Sequence, residues 1–244
     1  MVTGTLRYFS SKQRLNRLLS GSRLPANLKT RRDLELWLRD KEGFTEVSTP
    51  VIISIESLKK MNLGEDNHLW EQIYRVDKNK CLRPMHAPNL YEMMRDIHKI
   101  TNDAVRIFEV GSCFRKESQG ALHSNEFTML NLVELAAGPD GYQIDRLHDL
   151  AAGAMAAAGL KGFTIVTRDS GVYGTTVDIE YDGIEIASGA YGPHPLDANW
   201  GIFDTWVGIG IGIERLAMVL GGYHTIKPVS KSANYIDGIS LKLK

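Results

Sequence analysis

Between Ile107 and Leu135 the chain reads IFEVGSCFRKESQGALHSNEFTMLNLVEL, and it concentrates residue types that could handle a nucleotide. Arg115 follows one run, Ile107 to Phe114, while Phe127 and Asn131 lie in a second, Glu126 to Leu135. Both runs are rich in β-branched and aromatic residues, which predicts two strands. The polar loop between them carries Lys116, Glu117 and His123. Strand side chains alternate, so Phe127, Met129 and Asn131 share one face. A guanidinium can clamp phosphate, an aromatic ring can stack on a base, and an amide can reach a second ligand. The same residues also fit an ordinary hairpin with a solvated charged loop, and this stretch by itself leaves both readings open.

Residues 206–220, WVGIGIGIERLAMVL, break the tie. Val207, Ile209, Ile211 and Ile213 alternate with Gly208, Gly210 and Gly212. One face of such a strand is apolar and the other is bare backbone, against which a flat ligand can lie. Glu214 and Arg215 then open a helix expected to bury Leu216, Val219 and Leu220. The glycine spacing fails the G-x-G-x-x-G dinucleotide fingerprint, and no βαβ unit follows. A strand with FRKE before a loop, paired with a glycine-faced strand ending in GIERL, resembles motifs 2 and 3 of the class II aminoacyl-tRNA synthetases.

Other elements must position these residues. Gln13 to Leu19 and Arg31 to Glu42 are predicted as helices, the latter with Leu34, Trp37 and Leu38 as its stripe and Gly43 as its stop. Gly21 to Asn27, containing Pro25, reads as loop. The stretch GFTEVSTPVII is similar to class II motif 1, which in that family builds a dimer interface. Glu71 to Asp77 and Cys81 to Pro84 are expected to form a hairpin. A helix starts near Pro88, and another spans Gly141 to Ala158. Asp182-Gly183 closes a hairpin between Thr175–Tyr181 and Ile184–Ser188. Many strands with few crossovers predict an α+β fold, an antiparallel sheet flanked by helices.

Composition sets the bounds. The 244 residues, 24% charged and 43% hydrophobic, suit one large domain or two small ones and exclude a disordered chain. No apolar run reaches transmembrane length, so no membrane partner is expected. Cys81 and Cys113 lack metal-ligand spacing, which fits a reduced, cytoplasmic setting. Net charge is zero, but residues 1–32 hold eight cations and no acid: Arg7, Lys12, Arg14, Arg17, Arg23, Lys29, Arg31 and Arg32. Such a block can follow a nucleic-acid backbone, and it also fits a solvated tail or a transit peptide. We divide the chain into a basic arm and helix, 1–42, as tRNA contact, and a catalytic domain, 43–244.

The segments CLRPMHAPNLY, FEVGSCFRKESQGALHSNEFTMLNL, VYGTTVDI and WVGIGIGIERL resemble, in order and spacing, the catalytic domain of the pyrrolysyl-tRNA synthetase family. The likeness runs from about Gly43 onward and implies a short form without that family's separate N-terminal tRNA-binding domain. It implies ATP and Mg²⁺, an amino-acid substrate, a cognate tRNA and a homodimer. Arg115 would hold the α-phosphate and Arg215 the γ-phosphate. Glu117 and His123 would belong to the loop closing on the nucleotide. Phe127 would stack on adenine, with Arg215 covering its other side. Glu185 and Ser188 would hold magnesium and phosphate oxygens, with Ser188 also beside the amino acid. Asn131 would bond the substrate's side-chain carbonyl. Ala87, Leu90, Tyr91 and Met94 would line an apolar pocket together with Val133, Tyr173 and Trp206.

Several positions depart from that family. His86 and Ser124 stand where leucine is usual, Ala190-Tyr191 replace aliphatic residues, and Ile209 and Ile211 are altered in motif 3. The segment before motif 1 is shorter, lacking a helical stretch near Asn27 to Lys29. The implied function is activation of pyrrolysine, or a related bulky lysine derivative, and its transfer to tRNA. The rivals are a paralogue that passes its adenylate to another acceptor and a non-catalytic binding subunit on the same fold.

Overall fold

A computed structural model of the chain describes residues 10–116, 120–170 and 173–241. In order the elements are α1 (Ser11–Leu19), α2 (Ala26–Asp40), β1 (Thr45–Glu46), β2 (Ile52–Ser54), α3 (Ile55–Lys60), β3 (Lys80–Leu82) and α4 (Ala87–Thr101). Then follow β4 (Val105–Phe114), β5 (Glu126–Leu135), α5 (Gln143–Ala158), β6 (Thr164–Ser170), β7 (Gly174–Tyr181) and β8 (Ile184–Gly192). The chain finishes with β9 (Trp206–Gly212), α6 (Ile213–Leu220), β10 (Tyr235–Ile236) and β11 (Ile239–Ser240). One seven-stranded sheet runs β1-β4-β5-β9-β8-β7-β6. Only the β1–β4 pair is parallel; the others are antiparallel. This is the expected α+β architecture.

The two faces of the sheet have different fates. Leu130, Leu132, Val207, Ile209 and Ile211 press against Leu34 and Leu38 of α2 and Leu147, Leu150 and Ala154 of α5. On the other face, α4 packs Leu90, Tyr91 and Met94 with Ile107, Val133 and Trp206. Because α4 covers only part of that face, a cavity remains over β5, β9 and β8.

Local signals explain most boundaries. Ser10 and Gln13 cap α1 reciprocally. Asn102 (φ 57°) ends α4 in the left-handed conformation. Asp182 (φ 48°) and Gly183 (φ 77°) both take positive φ in the tight turn from β7 to β8.

The structure corrects several expectations. α2 begins at Ala26, not Arg31, with Pro25 as N-cap. The Asp237 carboxylate accepts from the Ala26 N–H at 3.1 Å, so a residue 211 positions away satisfies the helix start. β3 pairs with β2 as well as with its expected hairpin partner, which it meets through a short bridge, Arg75 to Cys81, flanked by the Val76 N–H to Lys80 and Leu82 N–H to Tyr74 backbone bonds. In α6, Ala217 and Met218 are buried while Leu220 is exposed. β6 was not expected; it is an edge strand, paired only with β7, and five of its seven residues are polar. No break in packing falls at residue 42, since Leu34 and Leu38 are in the main core.

Nor do the described residues of the basic arm form a free tail. Arg23 pairs with Asp237 at 3.0 Å, and Arg14 donates to the Asp237 carbonyl at 2.5 Å. Lys29 pairs with Asp33, and Arg31 with Glu35 at 2.5 Å. Arg7 lies outside the described residues.

Candidate active site

Strand register builds the site. Asn131 on β5 faces Gly210 on β9, Gly210 faces Ser188 on β8, and Ser188 faces Asp178 on β7. On the other side Asn131 is paired with Glu109 of β4. Cross-strand partners share a face, so these five residues form one row across the sheet. The neighbouring row is Ile107, Val133, Gly208 and Ala190.

The cavity above these rows measures about 270 Å³. Its floor is glycine, and a side chain there would displace the site's own groups. A Cβ on Gly210 would lie 2.8 Å from Asn131 Nδ2 and 3.1 Å from Met129 Cε. A Cβ on Gly208 would meet the Trp206 ring and Val133 Cγ1, each at 3.3 Å. The expectation of a bare strand face is therefore met by close approach from both neighbours.

One group of lining residues is polar: Arg115, His123, Glu185, Ser188 and Arg215, beside Phe127. Arg115 Nε donates to the Pro84 carbonyl at 3.0 Å, and its guanidinium lies 5.3 Å from the Phe127 ring centroid. It is thus Arg115 that lies over Phe127. Arg215 Nη1 donates to the Glu185 carbonyl at 3.2 Å and stands 3.5 Å from its carboxylate. Glu185 and Ser188 would fall on opposite faces of a regular strand. A register shift opposite Ile179 and Glu180 inserts one extra residue into β8, and both residues line the cavity. The Ser188 hydroxyl donates to Asp178 Oδ1 at 2.5 Å.

The second group is apolar and aromatic: Ala87, Leu90, Tyr91, Val133, Tyr173 and Trp206. Tyr91 and Trp206 meet edge to face at 5.4 Å, and Tyr173 and Trp206 at 6.2 Å. A buried carboxylate behind them fixes two of the rings. Asp197 accepts from the Tyr91 hydroxyl at 3.0 Å and from Trp206 Nε1 at 2.7 Å. Burial raises its pKa, and these donors pull the other way. Met94 does not reach the cavity, contrary to expectation. It is fully buried, one turn beyond Leu90, in the cluster behind the wall. Glu117 lies outside the described residues.

Sequence reasoning missed the groups that hold this shell. Both carboxylate oxygens of Glu214 accept from the Thr128 N–H, at 3.0 and 2.8 Å, which ties the start of α6, and so Arg215, to β5. Burial raises the Glu214 pKa, with the Thr128 hydrogen bonds opposing. Arg83 bonds Glu109 at 2.7 Å in a dry environment, and Thr49 donates to the same carboxylate at 2.6 Å. His86 Nδ1 lies 3.0 Å from Asn131 Oδ1. A cross-strand row could have suggested Glu109 and Asp178, but only once register was known.

Other chemistries find less support. Burial pushes the Cys81 and Cys113 thiols up to about 11 and about 12, so neither is a ready nucleophile. Among the described residues no cluster of three or more His, Cys, Asp or Glu could cage a metal. One carboxylate and one hydroxyl, Glu185 and Ser188, do fit Mg²⁺, which takes one or two protein carboxylates plus substrate phosphates. Among the described residues no helix is long and apolar enough to cross a membrane.

Comparison with known proteins agrees with this geometry. The family model of class II tRNA synthetases (D, K and N) matches residues 8–143. The chain is 32% identical over 96 residues to a threonine–tRNA ligase of Clostridium acetobutylicum, covering 37% of this chain and 15% of the ligase. It is 33% identical over 107 residues to that of Listeria welshimeri, covering 41% and 16%. The chain belongs to the class II tRNA synthetases. Two solved structures of pyrrolysyl-tRNA synthetase from Desulfitobacterium hafniense superpose with TM-scores of 0.89 and 0.86, at 46% and 44% identity. Each match covers 96% of this chain, and 83% or 80% of the other. At that identity and coverage the chain is a member of the pyrrolysyl-tRNA synthetase family.

The site carries its own pH signature. Burial, reinforced by the nearby Arg83 charge, lowers the His86 pKa from 6.5 to about 4. The unfolded chain therefore takes up this proton first as pH falls. The stability His86 confers as a neutral ring is complete above about pH 6.5 and is lost as pH drops toward 4, a cost of about 3 kcal/mol. Urea unfolding between these pH values should show a shallower loss of stability in His86→Leu than in the parent chain.

Proposed function

We propose that the chain activates pyrrolysine, or a related bulky lysine derivative, with ATP and transfers the aminoacyl group to the 3′ end of its cognate tRNA. The observation that carries this is one cavity in which Arg115, Arg215 and Glu185 adjoin Asn131 and an aromatic box. An amino-acid carboxylate is already ionised, so adenylation needs no general base. It needs in-line positioning and cations where charge builds on phosphate. Arg115 is assigned to the α-phosphate, Arg215 to the γ-phosphate, Phe127 to the adenine, and His123 with Glu117 to the loop over the nucleotide. Glu185 and Ser188 would hold Mg²⁺, which when bound neutralises phosphate charge. The aromatic box excludes water from the substrate side chain, and Asn131 supplies the polar anchor. The relatives serve several amino acids, so it is this box, and not the shared scaffold, that argues for a large apolar substrate.

The tRNA is assigned to the exposed face of α1 and α2. Lys12, Arg17 and Arg32 point to solvent there. A homodimer is assigned to the region of Gly43 to Pro50, directly followed by Val51 and Ile52, which are 38% and 49% exposed despite their apolar side chains. The chain would work in the cytoplasm, where its two free thiols stay reduced.

Three measurements test this reading. Arg115→Ala or Arg215→Ala should lower ATP–pyrophosphate exchange about a hundredfold, roughly 3 kcal/mol of transition-state stabilisation. Parent-like exchange in a folded variant removes the assignment. Replacing Lys12, Arg17 and Arg32 together by Ala should flatten the salt dependence of tRNA binding by about three units of slope; an unchanged slope moves the tRNA elsewhere. Light scattering at micromolar concentration should give about twice the 27.2 kDa chain mass, and a fully active monomer would overturn the dimer.

A further inference from the structure

His86 is fully buried at the start of α4, next to the cavity but not part of its wall. Its two ring nitrogens have different surroundings. Nδ1 lies 3.0 Å from Asn131 Oδ1. Nε2 is buried and has no hydrogen-bond partner. A Cβ built on Gly111 would lie 2.3 Å from Arg83 Nη2 and 3.3 Å from His86 Nε2, so the guanidinium and Nε2 converge on that bare glycine. Arg83 stays in place because Glu109, Thr49 and the Ser112 carbonyl hold it, at 2.7, 3.0 and 2.9 Å.

We propose that His86 is a positioning residue that fixes the Asn131 amide, so that the cavity offers its substrate a hydrogen-bond donor and not an acceptor. A neutral imidazole carries one proton. At this ring the positive charge of Arg83 outweighs the opposing charge of its partner Glu109, and it favours a lone pair on the nitrogen on its side, Nε2, and so places the proton on Nδ1. Nδ1–H then donates to Asn131 Oδ1. With its oxygen engaged, the amide turns Nδ2 toward the cavity floor, where Gly210 leaves room for it. A side-chain carbonyl on the substrate is accepted, and a tail with only donors, or with no polar atom, leaves Nδ2 unpaired. The depressed basicity of the buried ring keeps it neutral at working pH.

This deepens the reading of the cavity as a site for a lysine derivative and rests on it. The test compares two amino acids by ATP–pyrophosphate exchange: Nε-butanoyl-lysine and its all-hydrocarbon isostere. The parent should prefer the acyl-lysine. In His86→Leu that preference should fall about tenfold, mainly through KM for the acyl-lysine, the size of one hydrogen bond's contribution. In His86→Asn it should return, because asparagine Nδ2 occupies the place of histidine Nδ1. A folded His86→Leu that keeps both the KM and the preference overturns the proposal. A second readout needs no substrate and no variant: the nitrogen-15 spectrum of the His86 ring in the parent. Protonated Nδ1 with bare Nε2 is expected, and an Nε2–H tautomer overturns the proposal. If the parent activates no acyl-lysine, the reading of the substrate falls separately, while the ring spectrum still decides the tautomer.

Discussion

Everything at the site depends on the two-sidedness of β9. Val207, Ile209 and Ile211 are locked into the main core, so the register of this central strand cannot slip without exposing them. The same register forces Gly208, Gly210 and Gly212 to the opposite face. At Gly210 a Cβ would lie 2.8 Å from the Asn131 amide and would displace it, and at Gly208 one would press on Trp206 and Val133. Beyond Trp206 the central strand has only glycine on this face, and no side chain of β9 fills the space there. The result is a concave floor, and the ligand-binding groups are whatever the flanking strands bring to its rim.

Rigidity at that rim comes from buried carboxylates used as braces. Glu214 grips the backbone of β5, Asp197 holds two aromatic rings, and Glu109 holds Arg83. A buried carboxylate is costly unless its oxygens are satisfied, and each of these is. That cost enforces geometry: a displaced ring or strand would strand a charge in a dry interior. The cavity is thus preorganised by groups that stand behind the residues facing the ligand.

This division explains what was legible in the sequence. Phe127 and Asn131 sit on a strand with strong alternation and Arg115 directly follows one, so all three stand out by residue type and spacing, while Arg215, at the start of α6, takes its role from the motif 3 resemblance. The tight turn at Asp182-Gly183 was equally plain because only a few residue pairs adopt it. The braces were not legible. Asp197 meets Tyr91 across 106 positions, and Glu214 meets Thr128 across 86. No local pattern marks such pairs. The start of α2 was misplaced for the same reason, since its cap comes from Asp237. Met94 is packed behind the wall formed by Leu90 and Tyr91; helical spacing tells which side a residue faces, and not how far along that side a cavity extends. The joint presence of Glu185 and Ser188 at the cavity needs an irregularity in β8 that alternation would have argued against.

The position of His86 connects these two layers. Motif 1 residues reach Arg83 through Thr49, Arg83 approaches His86, and His86 meets the anchor Asn131. Polar groups therefore stand behind Asn131 back toward the expected dimer region, hydrogen-bonded from Thr49 to Arg83 and from His86 to Asn131, with Arg83 and His86 converging on Gly111 without a bond between them. Substituting a pocket-facing residue changes the volume offered to a substrate. Altering these groups changes instead which way the amide points. The nucleotide side of the cavity is thus built from Arg115, Arg215 and Glu185, while the orientation of one buried amide, set from behind, decides which polar groups the other side will accept.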